Sequence, residues 1–289
     1  MKICTQTDVL TKYFTDEQAL LMLKEAGFDA ADLSLFNMMS NPRWASGCYK
    51  EEAKRLRDFA LEHQIPILQA HAPFRFNWLE QDFEREIFPE IYRAVEIAAI
   101  CGARQIVVHP LHHNAYWGHE EEAYQANMAY YPRFSPICAE YGVKVCTENM
   151  WKKNNQRKCI DHDVCSRPEE FCRYVDGLNQ NGDYFSACLD LGHVALVGED
   201  LPQMIRALGS RIGALHIHDN NIHEDTHTLP GVASINLIPA FEALREIGYH
   251  GLFTLEADGF IKHQAQALLP LSLKYMADVS RYYSGIIEK

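Results

Sequence analysis

Short apolar runs recur eight times along the chain, and a segment with helical periodicity follows nearly every one. Such alternation is typical of α/β proteins with a parallel sheet. Eight units without a linker rich in Pro, Gly or Ser predict one (β/α)8 TIM barrel, a single α/β domain over residues 1–289. The predicted strands cover residues 2–7, 29–35, 66–72, 105–110, 144–150, 185–193, 212–219 and 251–257.

The main alternative is an open, doubly wound sheet. Such a sheet ordinarily carries a glycine-rich phosphate turn after its first strand, and the segment DVLTKYFTDEQ contains no glycine. Helix boundaries also suit the barrel. Thr15 with Gln18 and Ser166 with Glu169 have the spacing of capping boxes, and Gly27 can end the first of these helices.

Composition and charge limit the partners. The chain has 39 acidic and 27 basic residues, a formal charge of −12, so its average field repels polyanions and we expect no nucleic-acid partner. We also expect no membrane span, because no stretch of eighteen apolar residues occurs. The first residues lack the basic-then-apolar pattern of a secretion signal, which predicts a cytoplasmic protein. The Tyr-rich final helix leaves a homo-oligomer open.

Polar residues stand at the carboxyl ends of the predicted strands. In a barrel these ends share one rim, where active sites lie. Burying carboxylates and imidazoles together is costly unless they are paired or bind a cation, so the pattern predicts a divalent metal ion. These ligands suit zinc, manganese or cobalt. The residues are His71, His109, Glu148, Asp190, His193, His216 and Glu256.

Each of these residues also has an ordinary structural explanation. A single strand-end histidine is usually a hydrogen-bonded core or rim residue, and Asp190 could simply cap a helix. Isolated carboxylates inside the apolar runs VCTENM and FTLEA are harder to explain structurally. Glu148 and Glu256 are therefore the strongest functional candidates.

The runs VCTENM, CLDLGH, ALHIHD, a D-x-H before LPG, and GYHGLFTLEADG resemble the xylose-isomerase-like TIM-barrel superfamily. That superfamily includes sugar and sugar-phosphate isomerases and epimerases as well as the endonuclease IV branch. The resemblance implies that Glu148, Asp190, His216 and Glu256 hold a divalent ion and that the two glutamates are the acid/base pair. It further implies proton transfer through an enediolate on a small carbohydrate.

The endonuclease IV branch suggests an alternative function, a multi-zinc phosphoesterase. Asp225 and His227 form a D-x-H pair that resembles the additional zinc site of that branch, and His71, His109 and His193 complete its nine-residue set. We rank this second because of the net charge. Under the isomerase hypothesis, His193 binds a substrate oxygen instead. A barrel that only binds a sugar ranks third.

Two further expectations concern the mouth of the barrel. Trp117, in the loop after the fourth strand, is a candidate wall of the substrate pocket, although an ordinary surface loop is an equal alternative. His218 is expected to pack behind the rim, on the side of its strand opposite to His216. The region after His216 reads DNNIHED and lacks the arginine of epimerase relatives, so the identity of the sugar stays open.

Overall fold

In the computed structural model, which describes residues 1–155 and 157–289, eight parallel strands form a nearly closed barrel. The spatial order is β10-β1-β2-β3-β4-β5-β8-β9, and a parallel bridge from Ile217 to Leu255 joins the two ends. The predicted TIM barrel is therefore confirmed. The strands are Ile3–Gln6 (β1), Ala30–Ser34 (β2), Ile67–His71 (β3), Gln105–Val107 (β4), Lys144–Glu148 (β5), Trp151–Asn154 (β6), Cys159–His162 (β7), Phe185–Asp190 (β8), Ile212–His216 (β9) and Phe253–Leu255 (β10).

Helices surround the barrel and cover the outer faces of its strands, so the strands are buried almost throughout. No helix among the described residues is both long and apolar enough to cross a membrane. The α-helices are Asp8–Thr11 (α1), Asp16–Ala26 (α2), Pro42–Ala45 (α3), Tyr49–Glu62 (α4), Phe88–Cys101 (α5), Glu120–Tyr130 (α6), Ser135–Tyr141 (α7), Pro168–Leu178 (α8), Leu191–Leu196 (α9), Leu201–Leu208 (α10), Ile238–Glu246 (α11), Asp258–Ile261 (α12) and Leu269–Ile287 (α13).

The capping predictions had different outcomes at the two helices. At α2 the capping box between Thr15 and Gln18 is present, and Gly27 ends the helix in the left-handed conformation. At α8 the prediction is wrong, because the N-cap is Arg167, with no side-chain cap bond. The Ser166 hydroxyl instead lies 3.0 Å from Nδ1 of His162, four residues earlier in the chain, so it is turned toward β7 and not toward the start of α8.

Some predicted strands are longer than the observed ones. β4 ends at Val107 and β10 at Leu255, so His109 and Glu256 lie in the loops just beyond these strands. An antiparallel hairpin of β6 and β7, which the sequence did not predict, follows β5. This two-stranded hairpin lies beside the carboxyl ends of the barrel strands.

Candidate metal centre and active site

Three of the four predicted ligands meet directly at the carboxyl ends of β5, β9 and β10. Nδ1 of His216 lies 2.7 Å from Oε1 of Glu148 and 2.9 Å from Oε2 of Glu256. All three side chains are buried, and His216 is completely so. An imidazole nitrogen and two carboxylate oxygens from separate strands thus point at one spot, as a metal site requires.

Two more predicted histidines flank Glu148 on its other side. Nε2 of His109 lies 2.9 Å from Oε2 of Glu148, and Nε2 of His71 lies 3.7 Å from the same oxygen. The His71 ring stacks on His216, with centroids 5.4 Å apart and an angle of 9°. These five residues form the first cluster: His71, His109, Glu148, His216 and Glu256.

Asp190, the fourth predicted ligand, sits at the border of a second group. It ends β8 and pairs in register with His216, but one of its oxygens, Oδ1, accepts the backbone N–H of His193 at 2.7 Å and caps α9. The same oxygen lies 3.1 Å from Nε2 of His218. The capping explanation for Asp190 is therefore confirmed, and its role as a ligand stays a prediction, for which its other oxygen, Oδ2, remains without a hydrogen-bond partner.

The second cluster consists of His193, His218, Asp225 and His227, whose potential ligand atoms all lie within 4.8 Å of one another. Oδ2 of Asp225 is 2.9 Å from Nε2 of His227 and 3.2 Å from Nε2 of His193. Nδ1 of His193 lies 2.8 Å from the Asn149 carbonyl oxygen, which orients the ring. The predicted D-x-H pair is thus brought next to His193.

The expectation for His218 is wrong. Residues two apart along a strand share a face, so His218 points to the same side as His216 and enters the second cluster. Its ring stacks on His227 with centroids 4.1 Å apart. Gly192 provides the necessary space, since a Cβ there would lie 2.0 Å from the His218 ring.

Two residues from the first strands also reach the first cluster and were missed. Gln6 of β1 donates an Nε2–H to Oε1 of Glu256 at 2.6 Å. Asp32 of β2 is completely buried, with Oδ2 3.9 Å from Nε2 of His216. The signal for Asp32 was available, because a carboxylate inside the apolar run AADLSLF is as unusual as Glu148 in VCTENM.

The buried charges of the two clusters compensate one another. Burial raises the pKa of Glu148, but attraction to His216 and hydrogen bonds from His109 and His216 outweigh it and hold the pKa well below its usual range. Burial lowers the pKa of His227, yet Glu256 and Asp225 together raise that pKa to about 10. Burial raises the pKa of Asp32 to about 6 despite the opposing attraction of His216.

Even so, several buried polar atoms in the clusters lack a hydrogen-bond partner. In the described part of the chain eleven such side-chain atoms occur, and four of those in this region also have no charged partner closer than 3.6 Å. Buried polar atoms are normally paired, so their concentration here fits a site built for a cation. The four are Asp32 Oδ1, Asp190 Oδ2, His216 Nε2 and Asp225 Oδ1.

The mouth above the clusters is bounded by the β6–β7 hairpin. The Trp151 indole N–H donates to Oδ2 of Asp225 at 3.1 Å, and a cavity of about 630 Å³ lined by Trp151, Asp225 and His227 opens beside the second cluster. Trp117 is 49% exposed, and its indole N–H donates to Oδ1 of Asp161 on β7 at 2.9 Å. Trp117 lines a neighbouring cavity of about 360 Å³, and its contact with substrate stays a prediction.

A family model described as the xylose isomerase-like TIM barrel matches residues 20–278, nearly the whole chain. The chain belongs to this family. The resemblance inferred from the strand-end motifs is thereby confirmed, and the family's other members provide the functional comparison.

Two of the curated relatives are inosose isomerases, in agreement with the predicted enzyme class. An inosose isomerase from Bacillus velezensis is 22% identical over 263 residues, which cover 89% of this chain and 88% of the relative. A solved D-tagatose 3-epimerase-like protein superposes with a TM-score of 0.73 at 22% identity, covering 99% of this chain and 98% of the other. A solved IolI protein with a bound zinc atom gives 0.76 at 19% identity, with coverages of 99% and 98%.

Proposed function

We propose that this protein is a divalent-metal-dependent isomerase or epimerase of a small sugar or sugar phosphate. The observation that carries the proposal is the convergence of one oxygen each from Glu148 and Glu256 on Nδ1 of His216, at 2.7 and 2.9 Å. Its family membership and its isomerase and epimerase relatives support the same chemistry.

In this proposal Glu148, Asp190, His216 and Glu256 hold the ion, which is zinc or manganese, with cobalt as an alternative. The bound ion would polarise the substrate carbonyl and so acidify the neighbouring C–H bond. Oδ2 of Asp190 has no hydrogen-bond partner and is available to the ion, whereas Oδ1 caps α9. The mixed nitrogen and oxygen donors fit all three metals.

Glu148 and Glu256 transfer the protons. One carboxylate removes the proton from carbon, an enediolate forms, and the other carboxylate returns a proton. Gln6 keeps Glu256 oriented through its hydrogen bond to Oε1, leaving Oε2 directed to the cluster. His193 contacts Asp225, which lines the cavity, and would hydrogen-bond a substrate oxygen.

Exchange of substrate C–H with deuterated water tests the acid/base assignment. We expect Glu256→Gln to slow this exchange by about 10²–10⁴-fold, the usual contribution of a general acid or base. Exchange is followed by proton NMR over a panel of 2-hydroxy ketones and their phosphates. Glu170→Gln is the matched control, because Glu170 is a mostly buried carboxylate whose partner, Tyr116, lies outside both clusters. Unchanged exchange in Glu256→Gln would remove Glu256 from the mechanism.

One observation favours the second candidate, a multi-zinc phosphoesterase of the endonuclease IV type. His193, Asp225 and His227 are gathered beside the first cluster, where His71 and His109 flank Glu148. Elemental mass spectrometry of protein purified without a chelator separates the candidates. About one ion per chain supports the isomerase, whereas about three zinc ions, together with chelator-sensitive incision of an abasic duplex, would favour the phosphoesterase.

A further inference from the structure

A layer of polar side chains lies inside the barrel directly beneath the first cluster. The interior of such a barrel is normally filled with branched apolar residues. Here it contains Asp32 of β2, Gln69 of β3 and Thr254 of β10, all with 0% exposure. A buried carboxylate without a cationic partner is costly, so Asp32 needs an explanation beyond packing.

Hydrogen bonds anchor Asp32 in this layer. Gln69 donates its Nε2–H to Oδ2 of Asp32 at 2.9 Å, and the Thr254 hydroxyl donates to Oε1 of Gln69 at 3.2 Å. Oδ1 of Asp32 has no partner. The carboxylate is thus fixed from the side and retains capacity to accept another hydrogen bond.

The nearest candidate donor is the imidazole of His216. Nδ1 of that ring faces Glu148 and Glu256, so Nε2 points the opposite way. Nε2 is buried without a hydrogen-bond partner and lies 3.9 Å from Oδ2 of Asp32. Nε2 of His216, which can donate a hydrogen bond, and the Asp32 carboxylate, which can accept one more, therefore face each other at 3.9 Å.

We infer that Asp32 is a positioning residue that accepts the Nε2–H of His216 and thereby holds Nδ1 ready as a metal ligand. The inference rests on the proposed metal centre. A ligating imidazole donates its other N–H to a carboxylate or carbonyl in most metal sites, and that bond fixes both tautomer and ring orientation. A modest shift of the ring closes the remaining gap.

The test is metal affinity in Asp32→Asn. The asparagine oxygen can still accept from Gln69 and face Nε2 of His216 in place of Oδ2, but the side chain is neutral and therefore a weaker acceptor for Nε2–H than a carboxylate. We expect zinc and manganese to bind about 10–100-fold more weakly, as is typical when a residue that supports a metal ligand is lost. Affinity is measured by competition with a chromophoric chelator.

Thermal unfolding of the metal-free protein distinguishes positioning from a structural role. Asp32→Asn removes a buried charge, so the metal-free variant should melt no lower than the parent while binding metal more weakly. The matched control is Asp16→Asn, a buried carboxylate that pairs with Arg43 outside the barrel. It should lower the melting temperature and leave metal affinity unchanged.

The outcomes separate this inference from the proposed function. A parent protein that binds no divalent metal would defeat the metal centre itself. Parent binding with unchanged affinity in Asp32→Asn would overturn only the role of Asp32. Should that variant not fold, Asp32→Ala provides the same test, because it removes the acceptor without adding a donor. Unchanged affinity there would likewise overturn the inference.

Discussion

Gly192 leaves the space that the His218 ring occupies, and replacing it with alanine should therefore disturb the second cluster specifically. A Cβ at this position would lie 2.0 Å from Cε1, 2.4 Å from Nε2 and 2.5 Å from Nδ1 of His218. Ordinary contact begins at 3.4 Å, so the ring would have to recede by about 1.4 Å. The ring cannot recede freely, because it is fully buried and stacked on His227.

The expected cost follows from this overlap. Forcing extra atoms into a packed core costs about 1–3 kcal/mol, and the upper half of that range applies because a rigid ring is displaced. The displacement also separates His218 from Asp190 and Asp225, which now lie 3.1 and 3.6 Å from its Nε2. We therefore expect both a lower free energy of unfolding and weaker binding of the ion that Asp190 is proposed to hold.

Urea unfolding and elemental analysis of the same preparations measure the two effects. Gly285→Ala is the matched control, because Gly285 lies within α13 and a Cβ there has no heavy atom within 4 Å. That control should gain about 0.5–1 kcal/mol, the difference in helix propensity. Equal stability of Gly192→Ala and the parent would refute the packing argument for His218.

Three other perturbations have expected outcomes. Burial raises the pKa of Glu170 from 4.5 to about 7. The folded state therefore holds that proton more tightly, and the free energy of unfolding should fall as the pH rises through this interval. If Glu170→Gln showed the same dependence of the free energy of unfolding on pH, this expectation would be contradicted. The Asp219 carboxylate accepts hydrogen bonds from the backbone N–H groups of Gly231, Ala233 and Ile235 at 2.8–3.2 Å. Asp219→Asn should therefore lower the free energy of unfolding in urea by about 1–3 kcal/mol. An unchanged free energy of unfolding would show that Asp219 does not hold this loop in place. Adding zinc or manganese at 100 times its Kd should stabilise the metal-free protein by about 2.7 kcal/mol in thermal unfolding, whereas an unchanged melting temperature would argue against a metal centre.

The sequence alone determined the barrel and most of the residues of the candidate site. Strand-like and helix-like segments alternate eight times, and the rule that parallel strands share one carboxyl rim then brings distant residues together. Glu148 and Glu256 stood out because carboxylates are rarely buried in apolar strands. Single charged residues and the spacing of apolar residues within a segment can both be seen directly in a sequence.

Only the tertiary structure decided which of these residues touch. Closure of the barrel sets β9 beside both β8 and β10, so His216 meets Glu256, and the cap of α9 turns one Asp190 oxygen toward the second cluster. The role that we infer for Asp32 depends on Nε2 of His216, which has no hydrogen-bond partner and faces Asp32 inside the barrel. Such contacts depend on side-chain direction and on the register between strands, and neither is encoded within any single strand.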